Sequence, residues 1–211
     1  MVVKTRGPYA RTETRRREIA EATLAIVTER GHKAVTALEV AEKAGLSEPG
    51  VLYHFPTKES LLIAALELFD DLEIDPLENG GAYAEAGRQA HDGVRRTNFV
   101  RLYSEMSGEA PNPQHPAHDF FRQRWERSNA VLADDLRRLR DAGLVQPDLD
   151  LDATARRIHA AWEGLQLQWL VSPKFDIRAD LEQVMSSLTG LDPAQAARLL
   201  ARAQGARISV T

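Results

Sequence analysis

Residues 36–61 read TALEVAEKAGLSEPGVLYHFPTKESL, and the side chains gathered after Ser47 are of the kinds that read or grip a polyanion. Glu48 can accept from an exocyclic amine such as cytosine N4. Pro49 and Leu52 offer apolar surface to a thymine methyl, and Gly50 offers backbone alone. Tyr53 and His54 can donate to phosphate oxygens, and Lys58 supplies a point charge for the same purpose. Thr36 and Ser47 stand where helices begin, and free backbone N–H groups there favour anions. Upstream, Lys4, Arg6, Arg11, Arg15, Arg16 and Arg17 face only Glu13 and Glu18, a basic arm suited to backbone or minor-groove contacts. Each choice has a plainer reading beside it. Tyr53 can pack under the first helix, His54 can bond a neighbouring carbonyl, Thr36 and Ser47 are capping residues first, and the arm can be a solvated tail.

Short helices must hold these groups. Apolar residues recur at helical spacing almost throughout and period-two alternation is absent, which predicts an all-α chain. A first helix is expected over 12–30, with Ile19, Ala22, Ile26 and Val27 inward and Gly31 as its stop. Thr36 caps a helix over 37–44, Ser47 one over 48–55, and Thr57 a fourth from Lys58. Val40, Leu46, Val51 and Phe55 are assigned to the core. Two short helices joined at Gly45-Leu46-Ser47, with small Ala41 four residues before the glycine, have the spacing of a helix-turn-helix, whose later helix lies in the DNA major groove.

The chain has 211 residues, 27 Lys and Arg against 31 Asp and Glu, and a net charge of −4. Residues 1–63 run the other way, with 10 basic against 8 acidic side chains. A hydrophobic fraction of 43% is enough to build a core, so wholesale disorder is excluded. No cysteine is present, which removes disulfides, thiolate metal sites and cysteine nucleophiles together. No apolar run reaches the ~20 residues of a membrane span, and the basic start has no apolar stretch behind it. A cytoplasmic protein with no membrane partner is expected.

Over about residues 16–68 the sequence resembles the TetR/AcrR family of bacterial regulators. The resemblance is carried by an amphipathic helix, Gly31, Thr36, Ala41, Gly45-hydrophobic-Ser47, and aromatics ending in Phe55-Pro56-x-Lys58-Glu59. Leu52 departs from the tyrosine common there, and Gly50 carries no side chain, so base choice should lean on Glu48, Pro49 and Tyr53. The resemblance implies a helix-turn-helix domain over 1–72 and a helical effector-binding and dimerisation domain over 73–211. Its usual mode is repression of a palindromic operator on double-stranded DNA.

The second half is read with that expectation. EIDPLENGG, residues 73–81, is the plausible hinge. Helices are expected over about 83–107, 117–142, 152–171 and 177–188, with another from Asp192. Leu151, Ala155, Ile158, Trp162, Leu165 and Trp169 form a core stripe. Ala161, Gly164 and Gln168 run beside it and, with Leu181, Val184, Met185 and Leu188, suggest a homodimer bundle of two helices from each subunit. Asn98, Leu102, Tyr103, Phe121, Trp125, Trp162 and Gln166 interleave aromatic and polar groups, as a pocket for a moderately hydrophobic effector would; the alternative is that they fill a core. His115 and His118 flank Pro116 at a helix start, so no helix face presents both, and no metal or cofactor is expected. No nucleophile elbow, phosphate loop or H-E-x-x-H occurs, which argues against an enzyme. Two further readings stand beside the ligand-responsive repressor: a constitutive DNA-binding protein with a filled bundle, and an all-α ligand-binding or catalytic protein.

Overall fold

In the computed structural model, which describes residues 8–73, 97–192 and 195, helix ends follow local chemistry. Helix α1 (Pro8–Arg30) begins earlier than periodicity alone suggests, with a proline opening its first turn where an N–H would go unused. Arg11, Arg15 and Arg16 therefore lie on a helix rather than on a loose arm. A short 3₁₀ turn (His32–Ala34) leads to α2 (Ala37–Ala44), whose N-cap Thr36 accepts from the Glu39 N–H at 3.2 Å. Gly45 ends α2 with φ 67°, a conformation that is costly for any residue with a Cβ. The Leu46 N–H then reaches back to Ala41 O at 2.9 Å.

Helix α3 (Glu48–His54) is capped by Ser47, whose hydroxyl accepts from the Gly50 N–H at 3.2 Å. It stops one residue short of the expected end, with Phe55 in extended backbone. Helix α4 (Lys58–Glu73) opens with a reciprocal cap. Ser60 N–H donates to Thr57 Oγ1 at 3.1 Å, and Thr57 N–H donates to Ser60 Oγ at 3.2 Å. Beyond the undescribed stretch come α5 (Thr97–Glu109), α6 (Ala117–Asp141), α7 (Leu151–Val171) and α8 (Ile177–Thr189). Asp150 caps α7 and Asp176 caps α8 through their carboxylates. Among the described residues there is no strand. The hinge expected over 73–81 lies outside the described residues but for its first, as do the start of the helix expected over 83–107 and nearly all of the one from 192.

The described residues form two compact units, 8–73 with 101–120, and 97–100 with 121–192. In the first, α1 packs on α4 and on α2, and α2 on α3. Ile19, Val27, Val35, Val40, Val51, Phe55 and Leu61 are buried between them. Leu46, expected in this core, is only half-buried. The core of the second unit joins Leu132, Leu136 and Leu139 of α6, Leu151, Ala155 and Ile158 of α7, and Ile177, Leu181 and Met185 of α8. Burying one such side chain stabilises a fold by roughly 1.5–3 kcal/mol.

Candidate nucleic-acid interface

Seven residues make α3, and its two faces differ completely. Val51 and Phe55 seal one side into the core, while Glu48, Pro49, Leu52 and Tyr53 are exposed on the other. Tyr53 is 82% exposed, so it does not pack under α1. Its ring meets the His54 ring edge-on at 5.1 Å. His54 and Gly50 are half-buried. A Cβ on Gly50 would lie 3.1 Å from the capping Ser47 hydroxyl, so a bare backbone at this position keeps the cap undisturbed. Thr36 and Ser47 are both capping residues and both exposed. Leu38 on α2, 53% exposed, joins the same kind of surface. It was legible as a leucine off the Ala37, Val40, Ala41 stripe, although sequence reasoning passed it over.

Several of the basic residues are already engaged within the chain. Arg16, expected on DNA, donates from Nη1 to the His54 carbonyl at 2.9 Å, and its guanidinium lies 4.3 Å from the centre of the Phe55 ring. It closes the C-terminal end of α3, where unpaired carbonyls carry partial negative charge. Arg15 is exposed and pairs with Glu18 at 2.7 Å. Arg17 pairs with Glu21 at 3.0 Å. Lys58 donates to the Lys33 carbonyl at 3.1 Å, tying the start of α4 to the 3₁₀ turn, and it retains two further donors for a phosphate. In the same turn, buried His32 brings Nε2 within 2.8 Å of a Glu105 carboxylate oxygen on α5, a proximity that local spacing did not signal.

The expected effector residues are divided. Leu102 and Tyr103 are buried in the first unit, and Asn98, Phe121, Trp125, Trp162 and Gln166 belong to the second. There the rings of Phe121 and Trp125 lie 5.4 Å apart, and the Trp125 indole N–H donates to Glu163 at 2.6 Å. His159 is 2.5 Å from Asn129 Oδ1 through Nδ1. Burial, and secondarily the Arg124 charge, lower its pKa to about 4, so the ring is neutral near pH 7. Sequence reasoning had named neither Asn129 nor Glu163. His115 Nδ1 accepts from the Ala117 N–H and His118 Nδ1 meets Ala110 O, so both histidines serve the loop backbone. Among the described residues no group of three metal-ligating side chains occurs.

The expected dimer face also changes. Leu181 and Met185, expected on a dimer face, are instead wholly buried in the core of their own chain, because α8 turns that stripe toward α7, so they offer no surface to a second copy. Val184 and Leu188 are half-buried, as are Ala161 and Gly164, and Gln168 is exposed. A Cβ on Gly164 would meet nothing within 4 Å. Leu167 (56% exposed) and Val171 (82%) extend this outer face of α7 and went unnoticed in the sequence.

Comparison with known proteins agrees with this geometry. A family model described as bacterial regulatory proteins of the tetR family matches residues 19–65, and one described as the C-terminal part of a BetI-type transcriptional repressor matches residues 88–192. The chain is 24% identical over 174 residues to the HTH-type transcriptional regulator PksA of Bacillus subtilis, covering 76% of this chain and 81% of that one. It is 35% identical over 110 residues to the HTH-type transcriptional regulator RutR of Escherichia coli, covering 52% of this chain and about half (49%) of that relative. Among solved structures, a TetR-family regulator from Rhodococcus sp. superimposes with a TM-score of 0.66 at 24% identity over 83% of this chain and 98% of that one. The FadR repressor of Thermus thermophilus in complex with lauroyl-CoA does so with a TM-score of 0.60 at 23% identity, over 82% and 92%. Likeness at these identities shows a shared fold. No described helix is long and apolar enough to cross a membrane.

Proposed function

Because the chain belongs to the TetR family of bacterial transcriptional regulators, which bind DNA, we propose that it is a dimeric repressor released from a palindromic operator by a small molecule. The observation that carries this reading is α3 itself. Its base-reading side chains Glu48, Pro49, Leu52 and Tyr53 stand in solvent, while Val51 and Phe55 anchor the opposite face. Ser47 and Arg16 pin its two ends. A major groove ~12 Å wide admits such a helix, and residues near its start reach base edges. Residues 1–72 then serve as the reading domain, and residues 73–211 sense and dimerise, at work in the cytoplasm where the DNA lies.

Two supports favour a dimer. One seven-residue helix covers too few base pairs for useful specificity, so two copies must read two half-sites about one helical turn apart. Apolar Leu167 and Val171 beside the open space at Gly164 offer α7 a surface for a second α7. Repression is supported by the match to a BetI-type repressor C-terminal region. A small-molecule effector is supported by the lauroyl-CoA in the FadR structure and the triclosan in that of SmeT, both similar folds.

The test is gel mobility of duplexes selected from a random-sequence pool by the purified protein, across a salt series. The expected result is a palindromic consensus, two protomers per duplex, and a steep loss of binding with salt. No shift at low salt would sink the regulator reading for this chain. Binding that no added small molecule releases would favour a constitutive DNA-binding protein.

A further inference from the structure

Two hydrogen bonds set the register of α6 against α7: Trp125 to Glu163, and His159 to Asn129. Four residues forward on α6 meet four residues back on α7, so the helices are antiparallel. Followed toward the C-terminal end of α6, the seam is aliphatic, with Leu132, Leu136, Ala155 and Ile158 fully buried. Followed the other way it becomes aromatic and polar, through Trp125, Asn129, His159, Trp162, Glu163 and Gln166. A seam serving stability alone would stay aliphatic, because every buried polar group must recover the hydrogen bonds it gave up to water.

Three groups in the polar half have no protein partner among the described residues, and none of them is fully closed off from solvent. An amide oxygen only accepts, so the His159 proton sits on Nδ1 and Nε2 keeps a lone pair with no partner among the described residues. With its pKa lowered to about 4, the ring stays an acceptor at neutral pH. Gln166 is 8% exposed, and its amide likewise has no partner there; nor does the Trp162 indole N–H. His159, Glu163 and Gln166 share one helical face at steps of four and three. Arg124 and Glu163 supply one charge of each sign, and both are already engaged, so a charged guest finds no spare counter-ion.

We propose that this half-seam binds an uncharged aromatic molecule bearing an N–H or O–H donor beside a carbonyl, of which a primary aryl amide is the simplest case. His159 Nε2 accepts the donor hydrogen, Gln166 and the Trp162 N–H complete the amide edge, and Trp125 and Trp162 supply aromatic surface. The binding rests on the seam alone, and only its effect on DNA rests on the regulator reading.

All three tryptophans of the chain, Trp125, Trp162 and Trp169, lie on α6 and α7, so intrinsic emission reports on the seam. The purified full chain is titrated with benzamide, N,N-dimethylbenzamide, benzoate and benzylamine. Saturable quenching by benzamide is expected, at least about tenfold tighter than by the dimethylated, anionic or cationic analogues, consistent with loss of one or two hydrogen bonds. Gln166→Leu and His159→Phe should each erase most of that preference while thermal unfolding remains cooperative. Equal quenching by benzamide and its dimethylated analogue, no saturable benzamide binding, or a preference surviving in a cooperatively folded Gln166→Leu protein each overturns the proposal. Mobility of duplex DNA with no amide present is measured in parallel, so a failure of the regulator reading shows there and not in the titration.

Discussion

Around α3, polar side chains bond to backbone: Ser47 to the Gly50 N–H, Thr36 to the Glu39 N–H, Arg16 to the His54 carbonyl. Between α6 and α7, they bond to other side chains, Trp125 to Glu163 and His159 to Asn129. A side chain capping a helix end is tied to groups the helix itself has already placed, so the arrangement has one geometry. A side chain held by another side chain can exchange that partner for a ligand group with little movement of backbone. The first region takes its side-chain geometry from its own helix ends, and the second takes it from the register of two helices.

The sharpest break in this comparison pairs two aromatics on either side of α3. Phe55→Ala should cost about 3–5 kcal/mol in chemical denaturation, because a buried ring leaves a cavity and Arg16 loses its stacking partner. Tyr53→Ala should change stability by no more than about 0.5 kcal/mol, yet weaken DNA binding about tenfold. Equal stability losses in the two variants would mean α3 is not sided as described.

Next in size is a pH effect confined to the α6–α7 seam. The folded His159 pKa, near 4, lies below the ordinary imidazole value of 6.5. Between those values the unfolded chain binds the proton and the folded chain does not, so stability falls as pH drops from 6.5 toward 4 and levels off below. The shift corresponds to about 3 kcal/mol. In urea melts across this range, His159→Phe should flatten the His159 part of the slope; an unchanged slope would mean the ring is not buried neutral.

Glu48→Gln should change which base pair is preferred, with discrimination altered by about 1–3 kcal/mol, whereas Lys58→Ala should weaken all sequences alike and lower the salt slope by about one. Competition binding between the selected duplex and single-substitution variants separates the two. The smallest effect belongs to Arg16→Gln. Loss of the α3 clamp should cost about 1–2 kcal/mol of stability and narrow the gap between specific and non-specific DNA, leaving the salt slope unchanged. A slope reduced by one would return Arg16 to the phosphates.

Much of the first region was legible beforehand. Thr36, Gly45, Ser47 and Thr57 mark helix ends through bonds that span no more than a few residues, and each end falls where those residues stand. The exposed face of α3 followed from the same spacing. The interior of the second unit was less legible. The Leu151, Ala155, Ile158 stripe was readable because a core stripe needs only helical period, but Leu181 and Met185 show that period says a face is apolar without saying which neighbour covers it.

The sequence by itself determined most helix ends, the helical character of the described residues, and which short segment turns Glu48, Pro49, Leu52 and Tyr53 to solvent, because caps, turns and amphipathic periods act between near neighbours. Only the tertiary structure decided that Arg16 closes a helix 38 residues away, that Trp125 meets Glu163 and Asn129 meets His159, and that His32 faces Glu105. Those partners are chosen by which helix faces pack and in what register. That choice is settled by the joint burial of several elements at once, and no local spacing carries it.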